Sequence, residues 1–246
     1  MNTSKKIPIS EQAYKWIKDA IVTCELKPGQ TIVQGDLANR YEIGITPVRE
    51  ALRQLSQDGF VQPVPRMGYQ VSQITNQDIE EIFELRSILE TQSVRLAAIR
   101  APIKSLEVIT KLANFTYQYQ HKETYLAFLR RNTEFHFSIA VASGNQRLAD
   151  QISKIMEELN RVFHLGLDIS DSAEEMRNDH QALANALMSR DANLAEELVM
   201  IEITRSHERV KKAINQYQNQ ISNAVFINQL INSNTGKNKN FGSSYD

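Results

Sequence analysis

From Ile79 to about residue 218, apolar side chains recur at three- and four-residue spacing almost without relief, and no stretch alternates with the two-residue period of a strand. A helix with one apolar stripe needs that stripe covered, and a segment made only of such helices must cover them with one another. Residues 76–218 are therefore predicted to form an antiparallel α-helical bundle. Its first helix carries Ile79, Ile82, Phe83, Leu85, Leu89, Val94 and Leu96. It opens at Thr75-Asn-Gln-Asp78, where a Thr is followed three residues later by an acid that can return its hydrogen bond. Further helices are predicted over 104–121, 123–142, 146–163, 173–189 and 191–218. Pro102, the turn Ser143-Gly144-Asn145 and the polar loop 168–172 separate them, and Ser172-Ala-Glu-Glu175 repeats the capping-box pattern. Residues 219–246 are rich in Asn, Ser and Gly and are expected to be a polar tail, disordered from Asn232 onward.

Residues 1–75 follow a different pattern. In the run Thr46-Pro-Val-Arg-Glu-Ala-Leu-Arg-Gln-Leu-Ser-Gln-Asp-Gly-Phe-Val61, Thr46 suits an N-cap, Pro47 the first helical position and Gly59 a left-handed C-terminus. Val48, Ala51, Leu52 and Leu55 make one apolar stripe, which leaves Arg49, Arg53 and Gln54 facing solvent or a partner. Two short helical patterns precede this helix, one with Tyr14, Ile17 and Ile21, the other with Leu37, Ala38 and Tyr41. Only Glu42 to Ile45 separate the second from the third, the length a helix-turn-helix uses to set its crossing angle. Downstream, Phe60–Val64 and Tyr69–Ile74 flank Pro65-Arg66-Met67-Gly68 and read as a hairpin with a cation and a glycine at its tip. The expected fold is mainly α, a winged helix-turn-helix over 1–75 followed by the bundle.

Composition narrows the setting. No apolar run is long enough to cross a bilayer, the first twelve residues have two lysines but no apolar core of a signal peptide, and the single Cys24 precludes an internal disulfide framework. A cytoplasmic protein is expected. Residues 1–75 hold nine Lys/Arg against seven Asp/Glu and residues 76–218 hold seventeen against twenty-one, so the first part is only mildly basic. Binding to DNA would then rest on few phosphate contacts per subunit, and a dimer would double them.

The bundle holds a second constellation. Asn132 and His136 share a helix face at four-residue spacing, His180 lies two predicted helices later, and Glu202 stands among Leu198, Val199, Ile201 and Ile203, where a carboxylate needs a partner. Two imidazoles, a carboxylate and an amide oxygen suit zinc, nickel or another divalent transition metal. The alternative is that each is a satisfied polar residue in a helical core. His207, five residues from Glu202, points about 140° away round the helix and is not a candidate ligand. Arg86 and Glu90, four apart, suit a salt bridge.

The strings TPVREALRQLSQDGFV and PRMGYQV resemble the winged helix-turn-helix of GntR-family transcription regulators over roughly residues 8–74. The resemblance implies that Arg49 contacts operator DNA, that Thr46 bonds a phosphate and that Gly68 lets the wing approach the minor groove, with Arg53 and Arg66 on the same DNA-facing surface. Departures stand at Gly44-Ile45, where members commonly have Ser-Arg or Thr-Arg, and at Gly35, where some have Arg. Leu129-Arg-Arg-Asn132-Thr-Glu-Phe-His136 with Ala142-Ser-Gly-Asn145 resembles the FCD effector domain of the FadR-type subfamily. Its usual ligands are an Asp and three His; here His136 and His180 stand, while Asn132 and Glu202 replace the other two. The resemblance implies a homodimeric regulator, most often a repressor, released by a small organic acid, with a divalent metal (zinc or nickel) at Asn132, His136, His180 and Glu202. Arg86 is a candidate for capturing the effector carboxylate. Against this stand a metal-dependent hydrolase, which lacks a general base beside the ligands, and a DNA-binding protein with no effector, which predicts a bundle core without polar groups.

Overall fold

The computed structural model describes residues 7–237. In the N-terminal part, α1 (Ile9–Val22) packs across α3 (Ile45–Gln57), with α2 (Gln34–Arg40) between them in the chain. Ile17 and Ile21 of α1 meet Val48, Leu52 and Leu55 of α3 in a core from which water is excluded. The end of α3 is fixed by a Schellman motif: Phe60 N–H donates to Leu55 O at 2.9 Å, Gly59 N–H to Ser56 O at 3.3 Å, and Gly59 takes φ +80°. The start differs from expectation. Gly44 is the N-cap and contributes no side chain, so Thr46 and Pro47 fall inside the first turn. Pro47 still costs no bond there, because the first-turn N–H groups have no intrahelical acceptor.

The wing is β2 (Val61–Val64) paired antiparallel with β3 (Gly68–Val71), Val61 opposite Val71 and Val64 opposite Gly68. A third strand, β1 (Thr31–Ile32), lies on the other side of β3. Two residues are too few to show a strand period, so it was illegible in the sequence.

The C-terminal part is a bundle of α4 (Asn76–Arg100), α5 (Ile103–Leu112), α6 (Lys122–Ala142), α7 (Gln146–Gly166), α8 (Ala173–Met188) and α9 (Ala192–Lys237). α9 runs along α4 and α8, and α6 along α7. The Thr75–Asp78 capping box is present in both directions. Three expectations are corrected. α5 stops at Leu112 and not near 121, because Phe115 and Tyr117 leave the helix to pack elsewhere: Phe115 against Phe128 and Phe135, Tyr117 against Tyr125 and Phe128. Ser172 does not cap α8 through its side chain; its Oγ faces the Tyr117 hydroxyl at 3.2 Å, and its N–H donates to that hydroxyl at 3.1 Å. α9 continues as helix through Lys237, across residues where a polar tail was expected, since extending a formed helix is far cheaper than nucleating one. The remainder of that expected tail, 238–246, lies outside the described residues, as do the first six.

The two parts are docked. One apolar cluster joins Ile17, Ile21 and Leu52 to Tyr125, Phe128, Leu129 and Leu167 of the bundle. Around it, Lys18 pairs with Glu157 and Arg130 with Asp19, each at 2.6 Å, and Arg161 donates to Ser72 O at 2.7 Å.

Candidate nucleic-acid interface and candidate metal centre

The turn between α2 and α3 is closed by backbone geometry. Ile43 N–H donates to Ala38 O at 3.0 Å, and Glu42 takes φ +53° while Gly44 stays in the ordinary extended region at φ −69°. The left-handed residue of the turn is thus Glu42, not the glycine that marked the turn in the sequence. Burial of Val48, Ala51, Leu52 and Leu55 turns Thr46, Arg49, Arg53 and Gln54 outwards, all exposed. Neither Arg49 nor Arg53 has an ion-pair partner among the described residues. Arg66 is exposed at the wing tip with φ +64°. Gly68 has φ +94°, and a Cβ there would sit 3.3 Å from Ile32 O, so the wing's own pairing with β1 already requires a glycine.

The bundle brings Arg86 and Glu90 of α4, His136 of α6, His180 of α8, and Glu202 and Ser206 of α9 to one buried place. Arg86 is 1% exposed, and each nitrogen of its guanidinium donates once: Nε to Glu90 Oε1 at 2.6 Å, Nη2 to Glu202 Oε1 at 3.2 Å and Nη1 to Ser206 Oγ at 3.2 Å. His136 Nδ1 lies 2.7 Å from Glu90 Oε2. Its Nε2 lies 3.1 Å from Glu202 Oε1 but off hydrogen-bond direction, and His180 Nε2 lies 3.6 Å from the same oxygen. Phe115 and Phe135 flank the His180 ring at 4.8 and 4.7 Å between centroids.

Electrostatics hold the group together. Burial alone would push His136 down, but Glu90 and Glu202 outweigh it and raise its pKa to about 9. Burial would push the two carboxyls up, yet Arg86 and His136 hold Glu90 below its usual range, and His136 and His180 hold Glu202 well below it. Two cations, Arg86 and His136, thus face two carboxylates in a buried space, the balance a buried charge cluster needs.

The donors also fit a metal. His136, His180 and Glu202 each offer an atom within 4.8 Å of the others, and the 3.1 and 3.6 Å separations bracket the about 3.4 Å edge of a tetrahedron with bonds of about 2.1 Å. His136 Nε2, both ring nitrogens of His180 and Glu202 Oε2 are buried without a hydrogen-bond partner among the described residues. Glu90 on Nδ1 fixes the His136 ring so that Nε2 faces inward, as carboxylates behind metal-bound imidazoles do. Asn132 is buried one turn away on the same face.

Residues 81–220 match the FCD domain family, and residues 9–71 match the gntR family of bacterial regulatory proteins. The chain belongs to the gntR family and carries an FCD domain. This gntR-family protein is 25% identical over 217 residues to the uncharacterized HTH-type transcriptional regulator YdhC of Bacillus subtilis, covering 86% of this chain and 95% of that one. It is 27% identical over 198 residues to the HTH-type transcriptional repressor GlaR of Escherichia coli, covering 77% and 90%. Its fold matches E. coli McbR/YncC with a TM-score of 0.67 at 21% identity, over 86% of this chain and 100% of that one. A putative GntR transcriptional regulator from Rhodococcus sp. RHA1 matches with a TM-score of 0.65 at 19% identity, over 83% and 98%. The gntR-family protein is a transcriptional regulator and not an enzyme, so the hydrolase alternative falls.

The family resemblance implied the set Asn132, His136, His180 and Glu202, which spacing along the sequence could not bring together. Sequence reasoning missed that Glu90 also holds His136, that Ser206 completes the Arg86 shell, and that Phe115 reaches His180 from outside any helix. Glu90 carried a signal, its four-residue spacing from Arg86, but only the packing of α4 on α6 shows that its second oxygen serves a histidine. His207 stands apart, stacked on Phe83 at 4.5 Å.

Proposed function

We propose that this regulator is a cytoplasmic homodimer that binds operator DNA through α3 and the wing, represses transcription there, and is released by a small organic acid bound at the buried cluster of the FCD domain. The contacts assigned to DNA are Thr46, Arg49, Arg53, Arg66 and the backbone at Gly68. Support for the DNA surface is the exposure of Arg49 and Arg53 without a counter-ion among the described residues; support for repression is the repressor GlaR among the relatives. Dimerisation has a candidate face: Leu85, Ile88 and Ile99 are exposed along α4, and Met200 and Ile201 lie exposed beside them on α9, with Ser87 Oγ 3.8 Å from Met200 Sδ. No helix among the described residues is long and apolar enough to cross a membrane.

The observation that carries the effector site is the convergence of buried donor atoms of His136, His180 and Glu202, several of them without a hydrogen-bond partner among the described residues. These three, with Asn132, are the ligands for a divalent metal, zinc or nickel. Such an ion would supply a Lewis-acidic centre for an effector carboxylate. Arg86 acts behind them as a positioning residue, holding Glu202 and Glu90. Three of its five N–H groups serve Glu90, Glu202 and Ser206, so an effector carboxylate could be met only by the two that remain. Release of DNA follows by linkage: the acid must bind better to a dimer whose two recognition helices are wrongly spaced for the operator, and the shift equals that difference in affinity.

Elemental analysis of protein purified without chelator tests the metal, and DNA release by a panel of small carboxylic acids tests the effector. The expected result is about one zinc or nickel per chain, lost in His180→Ala, and acid-dependent release that His180→Ala abolishes. A His180→Ala protein that keeps its metal and its release would remove the assignment.

A further inference from the structure

Ile45 is the first residue of α3, and its side chain is 48% exposed at the helix tip. The residue before it, Gly44, has no side chain and ordinary backbone angles at the N-cap, so Gly44 does not cover Ile45. Thr46, Arg49 and Arg53 follow it as exposed residues of α3, and neither arginine has an ion-pair partner among the described residues. An isoleucine exposed at 48% beside two cations adds little to the core of this chain. It suits a polyanion that offers one apolar group.

The second helix of a helix-turn-helix enters the major groove with its N-terminal residues at the base edges. The apolar group on those edges is the thymine 5-methyl, and contact with it is what lets an aliphatic side chain recognise a base pair. We infer that Ile45 is a specificity residue, packing on the 5-methyl group of a thymine in each operator half-site. Ile45 and Arg49 share a helix face at four-residue spacing, about 6 Å along the axis, so the thymine lies about two base pairs from the pair that Arg49 reaches. Where an arginine would demand the two acceptors of guanine, Ile45 demands a methyl, and the preferred operator carries an A·T pair at that step. The inference rests on the reading of α3 as the DNA-contacting helix.

The test uses the full-length protein and operators selected from a random duplex library at one fixed salt concentration. Each thymine of the selected site is replaced in turn by deoxyuridine, which removes only the methyl. The expected result is one thymine per half-site whose replacement weakens the wild-type protein about three- to tenfold, and weakens Ile45→Ala by no more than measurement error. Because the DNA carries the change, the comparison holds whatever Ile45→Ala does to stability. No methyl-sensitive thymine, or the same loss in Ile45→Ala, overturns the inference. Arg49→Ala separates the two layers: loss of operator binding in Arg49→Ala without any methyl effect sinks Ile45 alone. Selection of no sequence, or undiminished binding by Arg49→Ala, sinks the α3 reading and this inference with it.

Discussion

Arg86 shows how one residue can organise a buried site without being its chemistry. Its three bonds keep Glu90 against His136 and hold Glu202 Oε1, which leaves Glu202 Oε2 unpaired. In metal-free protein, Arg86→Met keeps the volume but leaves two buried carboxylates facing one imidazolium. It should cost about 3–5 kcal/mol, read as a lower urea midpoint with little change in slope. Arg86→Met together with Glu90→Gln restores part of the balance and should recover part of the loss. His164 gives the pH counterpart. Burial lowers its pKa from 6.5, so the unfolded chain takes up that proton more readily than the folded one. Stability should therefore fall as pH drops below about 6.5, and the fall should be shallower in His164→Leu, measured by chemical unfolding between pH 7 and 5.

At the scale of elements, ends decide as much as stripes. α4 begins at a two-way capping box, and Thr75→Ala removes both the Oγ that accepts from Asp78 N–H and the hydroxyl that donates to Asp78 Oδ2 at 2.8 Å. The expected cost is about 1 kcal/mol, visible as a lower thermal midpoint, and Thr75→Ser should restore most of it. Because α4 also carries Arg86 and Glu90, fraying at Thr75 loosens the joint between the wing and the buried cluster. The caps at Thr75 and Gly59 were legible because each is a local pattern of a few residues. The end of α5 was not: residues 113–121 have apolar side chains compatible with helix, and they leave it because Phe115 finds better partners on α6 and α8.

At the scale of the whole molecule, the helix-turn-helix is fastened to the bundle along α6 and α7 through Leu129, Arg130, Glu157 and Arg161. α6 carries both that joint and His136 two turns later, so a shift of α6 at the cluster would be felt at α1. The α4–α9 face should carry the dimer. Ile88, 57% exposed, replaced by Glu should shift the protein from dimer to monomer in light scattering. The monomer should bind operator DNA more weakly, with about half the salt dependence, since half the phosphate contacts are gone. A dimer that survives Ile88→Glu would move the interface elsewhere.

What the sequence determined by itself is local or periodic: the all-helical bundle, the three helices of the reader, the hairpin wing, and the outward set of Arg49 and Arg53 opposite a four-residue apolar stripe. Those follow from spacing along one chain segment, where a residue's neighbours are known. What only the tertiary structure decided is which distant side chains share a site. Glu90, His136, His180 and Glu202 come from four helices, and a carboxylate's two oxygens can serve different partners only when those helices pack. Sequence spacing fixes the face a residue occupies; packing fixes what stands across from it, and burial then sets the charge that the group must carry.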